Sequence, residues 1–463
     1  MKIAHTKTQQ YILLVTTLSS FLTPFMGSAI NVALPAIAKE LSMTAVSLSW
    51  VVTSFILAAT MTLIPLGRLA DIHGRRRFYV YGGLIFTVAS SFCIVSSSQF
   101  FLIASRAVQG IGGAMIFSTG TAMLVSAYPL EERGKIIGIN VAAVYIGLTI
   151  GPFVGGLLTQ HLGWRFIFLF TAAWGLIITL IATTIKEEWS AVNGKGFDFS
   201  GSLLYAFALF SIIYGFSQLP TLNALFLIGL GVLCLILFIV HELKSLYPLV
   251  DVHLFLNNKV FAFSNLAALI NYCATFAITF LLSLYLQHIK MLTPSHTGSI
   301  LVAAPVVQAL LSPVAGKLSD RFEPQFISST GMVLTVIGLV LLIFLNSHTS
   351  IEYVFFCLIL LGIGFALFSS PNVNAIMSAV EKKYYGVASA TVGTMRLTGQ
   401  MFSMGITMLV FAVILGDYPI SEANTFLLLK SAKFIFAILA FICCVGIFAS
   451  LARGKIHNGN NNH

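Results

Sequence analysis

The segment GRLADIHGRRR, residues 67–77, stands between two long apolar runs of the chain. Its glycines allow a tight turn between two helices, and its arginines are the charges that hold a helix end on the cytoplasmic side of a membrane. Asp71 lies where the first run ends, so its carboxylate can cap a neighbouring helix or pair with an arginine. The segment therefore predicts a short loop at a membrane surface that latches and releases. The predicted latch residues are Gly67, Asp71, Gly74, Arg75 and Arg76.

The composition of the whole chain excludes a soluble protein. Its 463 residues are 58% hydrophobic and 9% charged, whereas soluble domains carry about 25% charged residues. Apolar runs long enough to cross about 30 Å of hydrocarbon recur along the sequence. We therefore predict an all-α polytopic membrane protein with 14 transmembrane helices. The predicted spans are 11–35, 46–68, 78–97, 100–126, 136–159, 165–185, 201–218, 223–241, 260–287, 297–317, 326–345, 353–373, 386–413 and 432–452.

The basic residues are concentrated in alternate loops, beginning with the loop that follows the second span. This distribution follows the positive-inside rule, so it predicts a multi-pass protein of the cell (plasma) membrane with both termini cytoplasmic. The net charge of +10 then reflects topology, and the lipid bilayer rather than nucleic acid is the expected partner.

The sequence contains an internal repeat. GRLAD at 67–71 recurs as GKLSD at 316–320, and GIG at 110–112 recurs as GIG at 362–364, at a nearly constant offset. Two parallel halves around a midplane site are typical of transporters that alternate access. We predict an N-terminal six-helix half (1–190), two inserted helices (191–250), and a C-terminal six-helix half with a short polar tail (251–463).

Three further motifs support this interpretation. RAVQGIGG (106–113) lies in the fourth predicted span, GLTIGPFVGG (147–156) in the fifth, and NVALP (31–35) closes the first. Small residues four positions apart let two helix backbones approach closely, and a proline bends its helix. The packing residues predicted in the fifth span are Gly147, Gly151, Pro152, Gly155 and Gly156.

The four motifs resemble those of the major facilitator superfamily (MFS). Segment 67–77 is similar to its signature loop between the second and third helices, 106–113 to its fourth-helix motif, and 147–156 to the fifth-helix motif of its antiporter branches. NVALP is similar to the signature of the fourteen-helix drug/proton antiporter subfamily. The resemblance implies a secondary active transporter that exports small hydrophobic or amphipathic compounds by a rocker-switch mechanism, with the proton gradient as energy source. It also implies a role for Arg106 in coupling, and donation from Arg106 to backbone carbonyls of neighbouring helices is an equal alternative.

The charges within the predicted spans depart from that subfamily. Many of its members carry an aspartate five residues before the asparagine of NVALP, where this chain has Met26, and every acidic residue falls in a loop or near a helix end. A buried carboxylate is the usual carrier of a cation or proton across the midplane. The embedded charges here are instead Arg106 and Arg396. They leave open an alternative function: transport of neutral or anionic metabolites, with a coupling that uses no buried carboxylate.

Polar residues deep in the predicted spans are the remaining substrate-cavity candidates, although each could instead bond to a neighbouring helix. They are Asn31, Gln109, Asn140, Tyr145, Asn271, Gln308, Asn372, Asn374 and Gln400, and the apolar Met26 joins them because it takes the position of the aspartate. The sequence has no nucleotide-binding, metal-binding or nucleophile motif. We therefore predict a protein that is not an enzyme, needs no cofactor or metal, and acts as a monomer on a small-molecule substrate.

Overall fold

The computed structural model describes residues 7–189, 196–250, 252–381, 385–416 and 425–454. Within those ranges, 14 helices are long and apolar enough to cross a membrane, which confirms the predicted fold class. They are helix 1 (Lys7–Glu40), helix 2 (Ala45–His73), helix 3 (Arg75–Ile94), helix 4 (Gln99–Ala127), helix 5 (Leu130–His161), helix 6 (Arg165–Thr184), helix 7 (Phe199–Ser217), helix 8 (Leu222–Glu242), helix 9 (Lys259–Ile289), helix 10 (Pro294–Arg321), helix 11 (Pro324–Ile343), helix 12 (Ile351–Ser378), helix 13 (Tyr385–Ile414) and helix 14 (Thr425–Ala452).

Several helices continue beyond the apolar runs that predict them. Helix 1 extends to Glu40, and helix 14 begins at Thr425 rather than at residue 432. Polar residues at a membrane surface continue a helix because the backbone hydrogen bonds are kept while the side chains reach water. Helix 9 ends in a π-helical turn, Tyr285–Ile289, and the short helix Val252–Asn257 precedes it. The hydropathy pattern predicts neither feature.

The sequence repeat corresponds to one helix crossing that occurs in both halves. Gly82 of helix 3 faces Gly112 of helix 4 so closely that a Cβ at Gly112 would lie 2.8 Å from the Gly82 carbonyl oxygen. Gly331 of helix 11 and Gly364 of helix 12 face each other in the same way. A Cβ at Gly331 would lie 2.7 Å from the Gly364 carbonyl oxygen, and a Cβ at Gly364 would lie 2.8 Å from the Gly331 carbonyl oxygen. Helices in lipid gain little from apolar burial, so close backbone approach at glycine supplies much of their packing.

Helices 7 and 8 lie outside the two halves. Helix 7 packs on both of them: its Ile213 meets Gly405 of helix 13, and its Tyr214 ring lies 6.2 Å from that of Trp50 in helix 2. Helix 8 packs on helix 7 through Gly231 and turns its other face outward. The domain boundaries at 190 and 250 remain predictions, because residues 190–195 and 251 lie outside the described part of the chain.

The two halves meet tightly at the end of the molecule where helix 1 finishes. Gly156 of helix 5 abuts the backbone of Pro294, and Gly298 of helix 10 abuts the backbone of Pro152. Gln287 Nε2 donates to the carbonyl oxygen of Val32 at 2.9 Å. Toward the other end, helices 5 and 10 diverge around a cavity of about 570 Å³. The structure is therefore closed at one membrane face, which is the geometry that alternating access requires.

Gly151→Leu is expected to disrupt the packing of helix 5 on helix 1. A side chain at Gly151 would collide with Ser28 and with the Phe25 carbonyl oxygen, and such overpacking costs about 1–3 kcal/mol or more. Thermal unfolding of the purified protein should show a lowered midpoint. Gly138→Leu, on the same helix where a Cβ meets nothing within 4 Å, is the matched control. Equal unfolding midpoints for the two variants would contradict this packing.

Candidate functional site

The loop between helices 2 and 3 is fastened entirely within the N-terminal half in the described structure. Asp71 accepts from Arg75 Nε at 2.6 Å, and Arg75 Nη1 donates to Ser126 Oγ of helix 4 at 2.7 Å. The predicted pairing of Asp71 with an arginine is thus present in the structure. Gly67 sits beside Ser118 of helix 4, so this loop joins helices 2, 3 and 4.

The segment after helix 6 completes this fastening. Glu188 Oε1 accepts from the Arg76 backbone N–H at 2.8 Å, and Arg76 Nη2 donates to the carbonyl oxygen of Thr183 at 2.9 Å. Gly74 has a φ of +117° and faces the Glu188 carboxylate, where a Cβ would lie 2.6 Å from its carboxyl carbon. Both facts explain the glycine at this turn.

Arg106 is a structural centre of the N-terminal half. Its side chain is 1% exposed. Its Nε donates to the Val51 carbonyl oxygen at 3.0 Å, and its Nη1 donates to Gln109 Oε1 at 2.5 Å and Met26 Sδ at 3.2 Å. The Phe55 ring lies 4.6 Å from its guanidinium carbon. Since hydrogen bonds from a charged group contribute about 1.5–3 kcal/mol each, these neutral partners hold the cation within the helix bundle.

Three predicted cavity residues therefore lie in the packing of the N-terminal half. Met26 and Gln109 are partners of Arg106 and are fully buried. Gln109 Nε2 in turn donates to Ser90 Oγ at 2.6 Å. Asn31 is 3% exposed at the outer part of helix 1. None of the three lines the cavity between helices 5 and 10.

Arg453 occupies a comparable place in the C-terminal half, and the sequence analysis missed it because it directly follows the last apolar run. It is buried, and its Nη1 donates to Asn372 Oδ1 at 3.0 Å and Ser264 Oγ at 3.4 Å. Its Nη2 donates to Ser450 Oγ. Asn372, a predicted cavity residue, thus lies in a structural network. The small polar side chains around position 453 in helices 9, 12 and 14 are the signal that could have revealed it.

Arg396 is placed differently from both of these arginines. It is half-buried on helix 13, and its guanidinium carbon lies 5.8 Å from the centre of the Tyr272 ring on helix 9. Tyr272 lies near both Arg396 and Tyr145 of helix 5. Among the described residues, no carboxylate pairs with Arg396 and no group forms a hydrogen bond with it. Within the described ranges, the guanidinium donors of Arg396 thus have no protein acceptor.

Tyr145 links this group to both halves and to the cavity. Ser312 Oγ of helix 10 donates to Tyr145 Oη at 3.3 Å, and Ser369 Oγ of helix 12 lies 3.4 Å from the same oxygen. The cavity of about 570 Å³ is lined by apolar side chains of helices 5 and 10 together with Tyr145, Thr149, Ser312 and Ser370. This volume suits a small organic molecule. The candidate site is therefore Arg396, Tyr272, Tyr145 and this cavity.

The other predicted cavity residues are scattered. Asn140 accepts from Ser20 Oγ at 2.9 Å and joins helices 5 and 1. Asn374 donates to Ser319 Oγ at 2.9 Å and to Asp320. Asn271 is buried on helix 9, next to Tyr272 in sequence, and its Nδ2 has no hydrogen-bond partner within the described part of the chain. Gln308 and Gln400 are half-buried on helices 10 and 13, and their substrate roles stay predictions.

Two helical halves that close at one membrane face, with a solute-sized cavity between them, define the class of this protein as a membrane transporter. The chain belongs to the Major Facilitator Superfamily, which matches residues 16–248 and 265–461. This result confirms the resemblance in the four sequence motifs.

The chain is similar to relatives with different named substrates. The riboflavin transporter RibZ of Clostridioides difficile (strain 630) is 29% identical over 96% of this chain and 97% of its own length. Multidrug resistance protein Stp of Mycobacterium tuberculosis (strain CDC 1551 / Oshkosh) is 31% identical over 86% of this chain and 75% of its own. The methylenomycin A resistance protein of Bacillus subtilis (strain 168) is 26% identical, over 93% of both chains.

A solved structure shares the fold. A bacterial homologue of the human lysosomal transporter Spinster, in an inward-facing and unoccupied conformation, aligns with a TM-score of 0.72 at 15% identity, over 98% of this chain and 99% of that one.

Arg106→Lys is expected to destabilise the protein, whereas Arg396→Lys is not. Lysine cannot reproduce the fork of donors that Arg106 directs to Val51, Gln109 and Met26, so the loss of its hydrogen bonds should cost about 2–4 kcal/mol. Arg396 has no such bonds to lose in the described structure. Thermal unfolding in the same detergent compares the two variants. Equal midpoints would contradict the structural role of Arg106.

Asp71→Asn is expected to abolish transport while leaving insertion intact. The pair with Arg75 is partly exposed, so its loss costs at most about 1 kcal/mol of stability, but the charge that fixes the loop is removed. Initial uptake rates at equal amounts of inserted protein measure the effect. Asp320→Asn is the control at the repeat-related position, where the carboxylate meets Asn374 rather than an arginine. Normal transport by Asp71→Asn would contradict the latch.

Proposed function

We propose that this MFS transporter moves small amphipathic compounds that carry a planar ring and are neutral or anionic. The observation that supports this class most directly is the uncompensated Arg396 guanidinium beside the Tyr272 ring. A guanidinium recognises carboxylate, phosphate or carbonyl oxygens, and an aromatic ring stacks on a planar solute. The apolar cavity wall between helices 5 and 10 suits the remainder of such a molecule.

The charge of the transported solute distinguishes the two functions predicted from the sequence. A lipophilic cation in a low-dielectric site needs a nearby carboxylate, and among the described residues none pairs with Arg396. A neutral or anionic solute needs no carboxylate there. The relative named as a riboflavin transporter is consistent with this preference, since a flavin is a planar neutral ring system.

Export driven by the proton gradient is the second part of the proposal. The tight packing of Gly147 and Gly151 against helix 1 fits the antiporter motif, and relatives named for multidrug and methylenomycin A resistance support an outward direction. The protein then lies in the plasma membrane with both termini cytoplasmic and works as a monomer. Residues 1–6 and 455–463 lie outside the described structure. Labelling of each terminus from one side of the membrane tests the proposed cytoplasmic location of both.

Arg396→Gln is expected to reduce transport of an anionic solute by about 10- to 100-fold, because it removes a charged hydrogen-bond donor. Counterflow in proteoliposomes measures it, with riboflavin, riboflavin 5′-phosphate and tetraphenylphosphonium as neutral, anionic and cationic probes. Arg396→Lys, which keeps the charge, is the matched control and should retain more anion transport.

The same assay distinguishes the alternatives. Flux of the cation alone would overturn the proposed substrate class. If the flux of the transported probe does not respond to an imposed pH gradient, the proposed proton coupling is wrong and the proposed substrate class still stands.

A further inference from the structure

A second buried polar cluster lies where helix 7 begins and helix 8 ends, away from the candidate transport site. Asp198 caps helix 7 by accepting from the Gly201 backbone N–H at 2.8 Å. Its carboxylate oxygens lie 3.0 and 2.9 Å from His241 Nε2, and Ser245 Oγ donates to Asp198 Oδ2 at 3.1 Å. Asp198 therefore has three kinds of donor around one carboxylate.

Glu242, the last residue of helix 8, is only half satisfied. It is 3% exposed. Its Oε2 accepts from the Val250 backbone N–H at 2.9 Å, whereas its Oε1 is fully buried and has no hydrogen-bond partner among the described residues. A carboxylate oxygen that is buried without a donor is unfavourable, because it has lost its hydration and gained nothing in return.

The unpartnered oxygen lies near the Asp198 carboxylate. A Cβ built on Gly201 would lie 2.7 Å from both Glu242 Oε1 and Asp198 Oδ2, so the two oxygens are no farther apart than twice that distance. Gly201 is the residue whose missing side chain leaves room for them. Two ionised carboxylates this close repel each other, and a shared proton removes the repulsion.

The one imidazole beside the two acids, His241, pairs with Asp198 when it is protonated, and the described residues show no such pair for Glu242. The titratable groups that face it are Asp198 of helix 7 and His241 of helix 8, and the segment that follows helix 8 contributes backbone N–H groups. Within the described ranges, neither acid forms an ion pair with a lysine or an arginine. A proton on one of the two acids is the simplest way to compensate this charge.

The ionisation of Asp198 indicates which acid would hold this proton. Burial acts to raise the pKa of Asp198, but hydrogen bonds from Gly201, His241 and Ser245 outweigh it and hold the pKa below its ordinary value. Asp198 thus stays ionised at neutral pH and is an acceptor. Its helix-capping interaction would weaken only as the pH falls through this lowered pKa.

We propose that Glu242 is a proton-binding site, in which the neutral acid donates from its Oε1 hydroxyl to Asp198 Oδ2. The site clasps residues 243–250, which we call the strap, through the bonds of Glu242 to Val250 and of Asp198 to Ser245. Loss of the proton as pH rises places two charges side by side and releases the strap. The strap leads through the helix Val252–Asn257 into helix 9, which carries Tyr272, so the site couples cytoplasmic pH to the C-terminal half. This inference stands independently of the substrate class.

Infrared spectroscopy of the full chain in lipid nanodiscs tests the proton directly. The wild type should show the carbonyl band of a protonated carboxylic acid at neutral pH, shifted in deuterated water. Glu242→Gln should lose this band, since glutamine keeps the shape and the hydrogen bonds but holds no carboxylic proton. Glu352→Gln, at an exposed acid that starts helix 12, is the matched control and should keep it. A missing band in the wild type, or a band unchanged by Glu242→Gln, would overturn the proposal.

Hydrogen exchange measures the strap. Corrected for chemical exchange, opening at the Val250 amide should rise by up to about tenfold per pH unit as the pH approaches the titration of the clasped site from below, and should level off above it, since one proton is released on opening. It should stay flat in Glu242→Gln, and a pH-dependent rise in that variant would refute the clasp. If the variant fails to insert, the wild type labelled with ¹³C-glutamate must shift the carboxylic band and the wild type labelled with ¹³C-aspartate must not. The opposite labelling result would assign the proton to Asp198 and overturn the assignment to Glu242.

Discussion

Close approach of helix backbones at glycine is the constraint on which the rest of this structure depends. In hydrocarbon, apolar burial does not draw helices together, so contact must come from packing and interhelical hydrogen bonds. Gly82 with Gly112, and Gly331 with Gly364, set the same crossing in both halves. Gly156 and Gly298 bring the two halves together at one face. These two contacts lie at one end of helices 5 and 10, and the cavity between the two helices lies toward the other end.

The arginines inside the helix bundle serve two different purposes. Arg106 and Arg453 are surrounded by carbonyl, hydroxyl, amide and thioether acceptors, and each binds several helices of its own half together. Arg396 of helix 13 lies beside the aromatic ring of Tyr272 on helix 9. A cation with its donors satisfied stabilises the fold, whereas a cation with free donors can bind a solute. Met26 occupies the position where many members of the subfamily carry an aspartate, and it contacts Arg106, so this chain holds that arginine without an acid.

Helices 7 and 8 bring together two acidic residues that are distant in sequence. Helix 8 makes its contacts with helix 7 and exposes its other face, so it adds little to the two halves themselves. Its last residue, Glu242, nevertheless meets Asp198 across the small Gly201. The two acids lie near the ends of separate helices, and the pairing of helices 7 and 8 brings them together. The pair also holds the segment that leads from helix 8 toward helix 9, through Ser245 and Val250.

The sequence alone determined the membrane class, the fourteen helices, the repeat and the family, because hydropathy and short glycine motifs are local properties of the chain. It also singled out Arg396, Tyr145 and the loop at 67–77. Only the tertiary structure decided that Arg106, Met26, Gln109 and Asn372 belong to packing networks, that Arg453 is buried, and that Tyr272 faces Arg396. It also paired Asp198 with Glu242. Whether a polar side chain faces a cavity or another helix depends on the rotation and crossing of helices distant in sequence, and no local pattern encodes those contacts.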